Sequence, residues 1–189
     1  MEDTPEVAVL RLGHRPGRDE RMTTHVGLTA RALGADRLVL AGAAADRRES
    51  VVSVTDHFGG PFAVETTDDP GDLLETWPGT VVHLTMYGLP VQEVEDDIRA
   101  ALRDSAKGGT EREQTERPLL VVVGAEKVAF EVYEAADWNV AVTNQPHSEV
   151  ASLAVFLDHL FEGRELDREW ENADRVVVPQ AEGKRVEDA

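Results

Sequence analysis

Residues Leu119–Gly124 have the sequence LLVVVG, a run of five apolar side chains closed by a glycine. No polar residue alternates with the leucines and valines, which is the pattern of a strand buried on both faces. Strands of this kind form the interior of parallel sheets that carry helices on each side. The stretch therefore predicts the centre of a parallel sheet.

The rest of the chain alternates short apolar runs with helical patterns. Further strands are expected at residues 6–12, 37–42, 62–66, 80–86, 139–142 and 175–178. Helices are expected from Thr23 or Thr24, as N-cap, to Leu33, and at residues 48–58, 71–77, 91–103, 130–136 and 148–162. This order predicts an α/β fold with a largely parallel sheet flanked by helices.

A length of 189 residues fits a single domain over residues 1–189. Residues 105–117 (SAKGGTEREQTER) are polar, contain adjacent glycines and lack an apolar period, so they are expected to form a surface loop insertion. Residues 182–189 are expected to be a frayed, flexible tail.

The composition excludes several classes of protein and site. The chain has no cysteine, which excludes disulfides, cysteine-ligated metals and thiol catalysis. It begins without a secretory signal and has no apolar run of membrane-spanning length, so we expect a cytoplasmic protein with no membrane contact. Its six histidines form no H-x-H or H-x-x-x-H pair, so no metal is expected.

The net charge of -18 comes from 37 acidic and 19 basic residues, of which 16 are arginine. Abundant carboxylates with scarce lysine are expected in a cytoplasm held at high salt, where self-repulsion is screened. Residues 11–48 depart from this pattern, with eight arginines and four acids. The arginines of the loop in this segment, Arg15, Arg18 and Arg21, are candidate contacts to an anion or to RNA phosphates.

Three loops that follow predicted strands contain candidate ligand-binding residues. They span residues 84–88, 124–128 and 144–149, and the ends of parallel strands are where open α/β sheets bind ligands. Each loop also has a structural interpretation, with Ser148 as an N-cap, Gly124 as a turn residue and Asn144 as an Asx-turn. No G-x-G-x-x-G, P-loop or G-x-S-x-G motif occurs.

Four strings carry a resemblance to a known family: LRLGHRPGRDERMTTHVGLTARALGA (10–35), HLTMYG (83–88), VVVGAEKV (121–128) and NQPHSEVASLAVFLD (144–158). Together they resemble the archaeal tRNA (cytidine-56) 2′-O-methyltransferases of the SPOUT, or α/β-knot, superfamily. The resemblance spans residues 6–163 and recurs at 177–186. It implies an enzyme that methylates the ribose of cytidine 56 in tRNA with S-adenosylmethionine, a trefoil knot in the C-terminal part, and a homodimer with its interface near the cofactor.

The resemblance also assigns site residues. The implied cofactor-binding residues are Leu84, Gly124, Ala125, Glu126, Lys127, Val128, Val142, Thr143, Asn144, Gln145, Pro146, His147, Ser148 and Glu149. The implied catalytic residue is Arg31, with His25 in the place of a motif asparagine. Since a guanidinium is a poor general base, we expect Arg31 to anchor phosphate and stabilise developing alkoxide character.

Two positions depart from the usual family pattern. Ala129-Phe130 stands where a proline often follows GAEKV, and Thr143 stands where a glycine often precedes NQPHSE. Other readings remain open at the level of sequence: a 2′-O-methyltransferase for another tRNA or rRNA position, and a catalytically silent RNA-binding protein on the same fold. A nucleotide-binding regulator is disfavoured because no phosphate-binding loop occurs.

Overall fold

Six parallel strands form one sheet in the computed structural model, which describes residues 5–13, 15, 21–103, 117–124 and 127–189. The strand order is β3-β2-β1-β5-β4-β6, and every neighbouring pair is parallel. The strands are β1 Val7–Leu12, β2 Arg37–Ala41, β3 Ala63–Thr67, β4 Thr80–Pro90, β5 Leu119–Gly124 and β6 Trp138–Ala141. The predicted α/β class is therefore confirmed.

Helices cover both faces of this sheet. They are α1 Met22–Ala32, α2 Arg48–Phe58, α3 Pro70–Thr76, α4 Val91–Arg103, α5 Phe130–Ala135 and α6 Glu149–Phe161. Alternate residues of β5 face two separate hydrophobic clusters, with Val121 in one and Val122 in the other. Strand β5 is thus buried on both faces, as its sequence predicts.

Strand β4 has an irregularity that shapes the molecule at its carboxyl end. Val140 of β6 is in register with both Leu84 and Leu89 of β4. The four residues between them, 85–88, therefore have no register partner in β6 and form an irregular, bulged segment of β4. This bulge lies at the carboxyl ends of the strands, where α/β sheets bind ligands.

Two expectations are wrong, one about the C-terminal tail and one about the start of helix α1. The tail does not fray, because β7 Arg175–Val178 and β8 Arg185–Asp188 pair as a two-stranded antiparallel sheet outside the main one. Helix α1 is not capped by Thr23 or Thr24, because Arg21 occupies the N-cap and Thr23 is buried inside the first turn.

Several predicted features lie outside the described residues. These are Arg18, Ala125, Glu126 and residues 105–116 of the predicted loop.

Candidate active site

A cavity of about 470 Å³ opens at the carboxyl ends of β4 and β5. Its walls come from the β4 bulge, the segment after β5 and the start of α6. The structure brings together here seven of the predicted cofactor residues: Leu84, Gly124, Lys127, Val128, Pro146, His147 and Glu149. Three loops that are distant in sequence thus meet at one site.

The other described residues of the predicted cofactor set do not line the cavity, and most of them have structural roles. Val142 packs against the hydrophobic core, and Thr143 is exposed. The carbonyl of Gln145 accepts a hydrogen bond from Nδ1 of His147 at 2.6 Å. Ser148 caps α6, because its Oγ accepts from the backbone N–H of Ala151 at 3.2 Å.

Asn144 joins two walls of the cavity. Its Nδ2 donates to the carbonyl oxygens of Met86 at 2.8 Å and Gly88 at 3.1 Å, so the loop after β6 is bound to the bulge of β4. At Gly88 the two segments are too close for a side chain, since an added Cβ would lie 2.4 Å from the carbonyl oxygen of Asn139. The bulge therefore has a fixed position against β6.

A buried ion pair holds the start of α6 in place. The Arg11 side chain has no exposed surface, and its Nη2 donates to Oε1 of Glu149 at 2.9 Å. Arg11 lies near the carboxyl end of β1, whereas Glu149 is the first residue of α6 and lines the cavity. Charge-assisted hydrogen bonds of this kind are stronger than neutral ones, so the pair fixes α6 against the sheet.

His83 is a buried member of the cavity lining that the site prediction omits. The amide Nδ2 of Asn139 donates to the carbonyl of Tyr133 at 2.9 Å, which leaves Oδ1 of Asn139 to accept from Nδ1 of His83, also at 2.9 Å. Burial lowers the pKa of His83, while the Asn139 hydrogen bond opposes that shift. His83 is therefore a neutral imidazole with its proton on Nδ1 and an acceptor at Nε2.

Five further lining residues are not assigned individually to the cofactor by the resemblance: Thr85, Met86, Tyr87, Tyr133 and Ser152. The first three lie in the predicted ligand loop 84–88, whose sequence marks the loop but not its shape. Ser152 lies one turn after Ser148 on α6, so helical spacing could have identified it. The sequence does not identify Tyr133 as a site residue, because α5 has the pattern of an ordinary short helix.

Arg31 lies in a second cavity of about 530 Å³. Its Nη2 donates to the carbonyl oxygens of Phe58 at 2.8 Å and Gly59 at 2.5 Å, and its Cζ is 3.9 Å from the ring centre of Trp170. Burial lowers the pKa of Arg31, and the charge of nearby Arg168 adds to the effect. Within the described part of the chain, Nε of Arg31 has no hydrogen-bond partner.

The structure does not bring Arg31 and His25 together. Six residues of an α-helix turn through about 600°, which places the two side chains roughly 120° apart around α1. His25 is exposed, whereas Arg31 is 8% exposed and faces Trp170. Helix α1 runs back from the carboxyl end of β1, so Arg31, in its last turn, lies near the amino-terminal ends of the strands. The first cavity of the same protomer lies at the carboxyl ends.

The arginine-rich segment is only partly available to RNA. Arg11 is buried against Glu149, Arg37 pairs with Glu6, and Nε of Arg48 donates to the carbonyl of Val64 at 3.0 Å. Among the predicted RNA-facing residues, Arg21 is exposed and Arg15 is partly exposed. The net charge of this segment therefore overstates its free positive surface.

The described residues contain no group of three or more histidine, aspartate, glutamate or cysteine side chains placed to hold a metal ion. Likewise, none of their helices combines the length and apolar character that crossing a bilayer requires.

The first cavity suits an organic ligand with both polar and apolar parts. Its volume lies within the range of small-molecule sites, and its walls mix apolar side chains with a few polar groups. Leu84, Met86 and Val128 offer apolar surface, while His83 and Glu149 offer hydrogen-bond acceptors. A cofactor with an aromatic base, a sugar and an amino-acid tail has complementary chemistry.

Comparison with known proteins identifies relatives along the whole chain. A family model described as tRNA ribose 2′-O-methyltransferase, aTrm56, matches residues 58–187. A protein named tRNA (cytidine(56)-2′-O)-methyltransferase from Haloarcula marismortui is 70% identical over 188 residues, covering 100% of this chain and 98% of that protein. One of the same name from Natronomonas pharaonis is 66% identical, covering 99% and 97%.

A solved structure shares the fold. It is the SpoU methyltransferase AviRb from Streptomyces viridochromogenes in complex with the cofactor AdoMet, with a TM-score of 0.56 at 17% identity. The match covers 87% of this chain and 59% of that one.

Proposed function

The chain belongs to the tRNA ribose 2′-O-methyltransferase family aTrm56, and from this premise we propose that it methylates the ribose 2′-hydroxyl of cytidine 56 in tRNA. The methyl donor is S-adenosylmethionine, and the enzyme works in the cytoplasm, where tRNA is modified. The observation that carries this proposal is the single cavity formed by the β4 bulge, the segment after β5 and the start of α6.

The residues of the first cavity fit the cofactor. Leu84, Met86 and Val128 would hold its adenine between apolar side chains, and His83 would accept a hydrogen bond from it. The carboxylate of Glu149, which is 16% exposed and pairs with Arg11, would offer a hydrogen-bond acceptor to the cofactor. When bound, the cofactor supplies an electrophilic methyl group on a sulfonium.

The reaction needs positioning and the removal of one proton. The nucleophile is a neutral hydroxyl, so fixing it in line with the methyl group provides much of the rate enhancement. Arg31 keeps its charge at neutral pH, so its role in the proposal is to bind a phosphate and stabilise negative charge on the reacting oxygen. The hydroxyl proton leaves to water or to a neighbouring group.

The proposal includes a homodimer. In one protomer Arg31 and the first cavity lie at opposite ends of the strands, so a second copy is needed to bring the two together. Exposed apolar side chains on the β7–β8 hairpin, Val176, Val177 and Val186, offer surface for such contact. The trefoil knot is also part of the proposal, and the Asn144 hydrogen bonds to the β4 bulge support a close crossing of these segments.

The dimer can be tested by mixing two inactive proteins. Arg31→Ala removes the guanidinium, and Ser152→Trp fills the first cavity. If each site uses both protomers, an equal mixture of the two proteins regains about a quarter of wild-type activity, because about half of the dimers are mixed and each mixed dimer has one of its two sites intact. A mixture that stays inactive although mixed dimers form would contradict the shared site.

The substrate can be tested with a single-atom change in the RNA. Labelled methyl transfer is measured on a tRNA transcript with cytidine 56 and on the same transcript with 2′-deoxycytidine at that position. We expect transfer to the first and none to the second. Equal transfer to both would reject cytidine 56 as the target, and absence of any cofactor binding by calorimetry would reject a methyltransferase.

A further inference from the structure

An exposed phenylalanine stands beside the mouth of the first cavity. Phe130, the first residue of α5, is 69% exposed, and Tyr87, on the β4 bulge, is 75% exposed. Tyr87 itself lines the cavity. Large aromatic side chains left in water on the rim of a ligand site indicate a contact surface.

Phe130 is connected to the cavity through its ring contact with Tyr133. The Phe130 and Tyr133 rings are nearly parallel, with centres 6.4 Å apart and planes 21° apart. The hydroxyl of Tyr133 lies 3.2 Å from Oγ1 of Thr85, and its ring meets the His83 ring edge-on, with centres 4.6 Å apart. Because Tyr133, Thr85 and His83 all line the cavity, the aromatic surface is continuous with it.

The charges around Phe130 favour a neutral ligand over a phosphate. Glu131 and Glu134 lie on the same short helix and are exposed. Their carboxylates repel an RNA backbone, whereas a nucleobase carries no charge and presents a flat π-face. Stacking on aromatic side chains is the usual way in which proteins hold unpaired bases.

Stacking also suits a protein with a net charge of -18. Affinity from phosphate contacts falls steeply as the salt concentration rises, because it comes from the release of counterions. Base stacking releases no counterion, so it keeps its strength at high salt. An acidic protein that must hold RNA in saline conditions gains more from such a contact than from further arginines.

We propose that Phe130 and Tyr87 form a stacking surface for a nucleobase of the substrate RNA next to the methylated ribose. This inference rests on the proposed function, because it assumes that the ribose is presented at the mouth of the first cavity. It assigns a substrate contact to a position where the sequence departs from the usual family pattern.

The test compares three substitutions of one side chain. The dissociation constant for a cytidine-56 tRNA transcript is measured at 2 M potassium chloride for wild type, Phe130→Ala, Phe130→Leu and Phe130→Trp. We expect Ala and Leu to weaken tRNA binding by about 5- to 100-fold, as for loss of one stacked base, and Trp to retain it. Leu166→Ala, at a site that is 66% exposed on the 3₁₀-helix after α6, serves as control and should have no effect.

Cofactor affinity and dimer dissociation are measured on the same variants and should not change. Unchanged tRNA binding in Phe130→Ala would overturn the stacking surface, as would unchanged tRNA binding in Phe130→Leu, which keeps apolar area without a π-face. A loss confined to cofactor affinity would assign the ring to the cofactor, and a loss confined to dimer stability would assign it to the partner protomer. If the proposed function itself fails, wild type will not bind or methylate the tRNA, which is a different outcome.

Discussion

At the scale of single residues, the surroundings of His83 determine its charge. Its Nδ1 is held by Asn139, its ring is packed against Tyr133, and it is 1% exposed. A charged imidazolium would have to be buried at this place, where His83 forms no ion pair with any carboxylate of the described residues. The side chain therefore resists protonation, which has a consequence for the pH dependence of folding.

The free energy of unfolding should fall as pH drops below about 6.5, the ordinary pKa of histidine. Because burial lowers the pKa of His83 in the folded protein, the unfolded chain binds more protons in the window between the folded and unfolded values, and stability rises with pH there. His83→Asn keeps a donor for Asn139 but does not titrate. Guanidinium unfolding of both proteins from pH 5 to pH 8 at constant ionic strength measures the difference, and parallel curves would contradict the prediction.

Substitutions at Arg31 separate the effect of its positive charge from the effect of its forked hydrogen-bonding geometry. Arg31→Ala should reduce the rate of methyl transfer by on the order of 10²–10³-fold, as for loss of one electrostatic stabiliser. Arg31→Lys should retain part of the rate, because the charge remains although the forked geometry is lost. Single-turnover transfer measures both rates, with cofactor affinity by calorimetry as control. Equal and complete loss in both variants, with cofactor binding intact, would count against the electrostatic role.

Sequence alone could not separate surface arginines from buried ones. Arg11 and Arg31 lie in a segment that reads as uniformly basic, yet one is paired with Glu149 and the other is packed against Trp170. Both partners are more than 130 residues away along the chain. Contacts between such distant positions leave no local pattern.

At the scale of secondary-structure elements, the Arg11–Glu149 pair joins β1 to α6. Replacing Arg11 by Met leaves the Glu149 carboxylate, 16% exposed, without its partner. We expect a loss of about 3–5 kcal/mol in the free energy of unfolding. Arg11→Met combined with Glu149→Gln should recover much of that loss, since no charge is then left buried.

Urea unfolding measures these variants, with Arg185→Met as control. Arg185 pairs with Glu187 on the hairpin, where both side chains are exposed, so its replacement should change stability by less than about 1 kcal/mol. If Arg11→Met and Arg185→Met were equally stable, the buried pair would not hold α6.

Most strands of the main sheet, and the helices that cover it, could be predicted. For the strands, burial on both faces leaves continuous apolar runs such as LLVVVG. The β4 bulge could be predicted only as a loop at residues 84–88, because the return of the chain to register with β6 at Leu89 depends on strand pairing. The hairpin of β7 and β8 was missed in part, since β8 is exposed and polar and its pairing depends on a turn at Gly183. The three ligand loops were predictable as loops, while their meeting in one cavity required the topology.

At the scale of the whole molecule, the net charge of -18 sets the response to salt. Raising potassium chloride from 0.1 M to 2 M shortens the Debye length from about 10 Å to below about 3 Å and screens the repulsion between carboxylates. We expect the unfolding free energy to increase by about 2 kcal/mol, equivalent to roughly 4–8 °C in the unfolding midpoint.

A variant with less negative charge provides the control for this salt effect. Glu75→Gln, Glu93→Gln and Asp97→Asn together remove three exposed carboxylates on helices α3 and α4. The combined variant should gain less stability from salt than wild type. An identical gain in both proteins would mean that salt acts through something other than charge repulsion.

We propose that one cavity and one guanidinium serve methyl transfer to a single ribose in tRNA. The decisive measurement is position-resolved mapping of 2′-O-methylation on tRNA that has been incubated with the protein and S-adenosylmethionine at high salt. We predict one new methylated ribose, at cytidine 56, that is absent with Arg31→Ala. Methylation at another position, or none in the presence of bound cofactor, would contradict the claim.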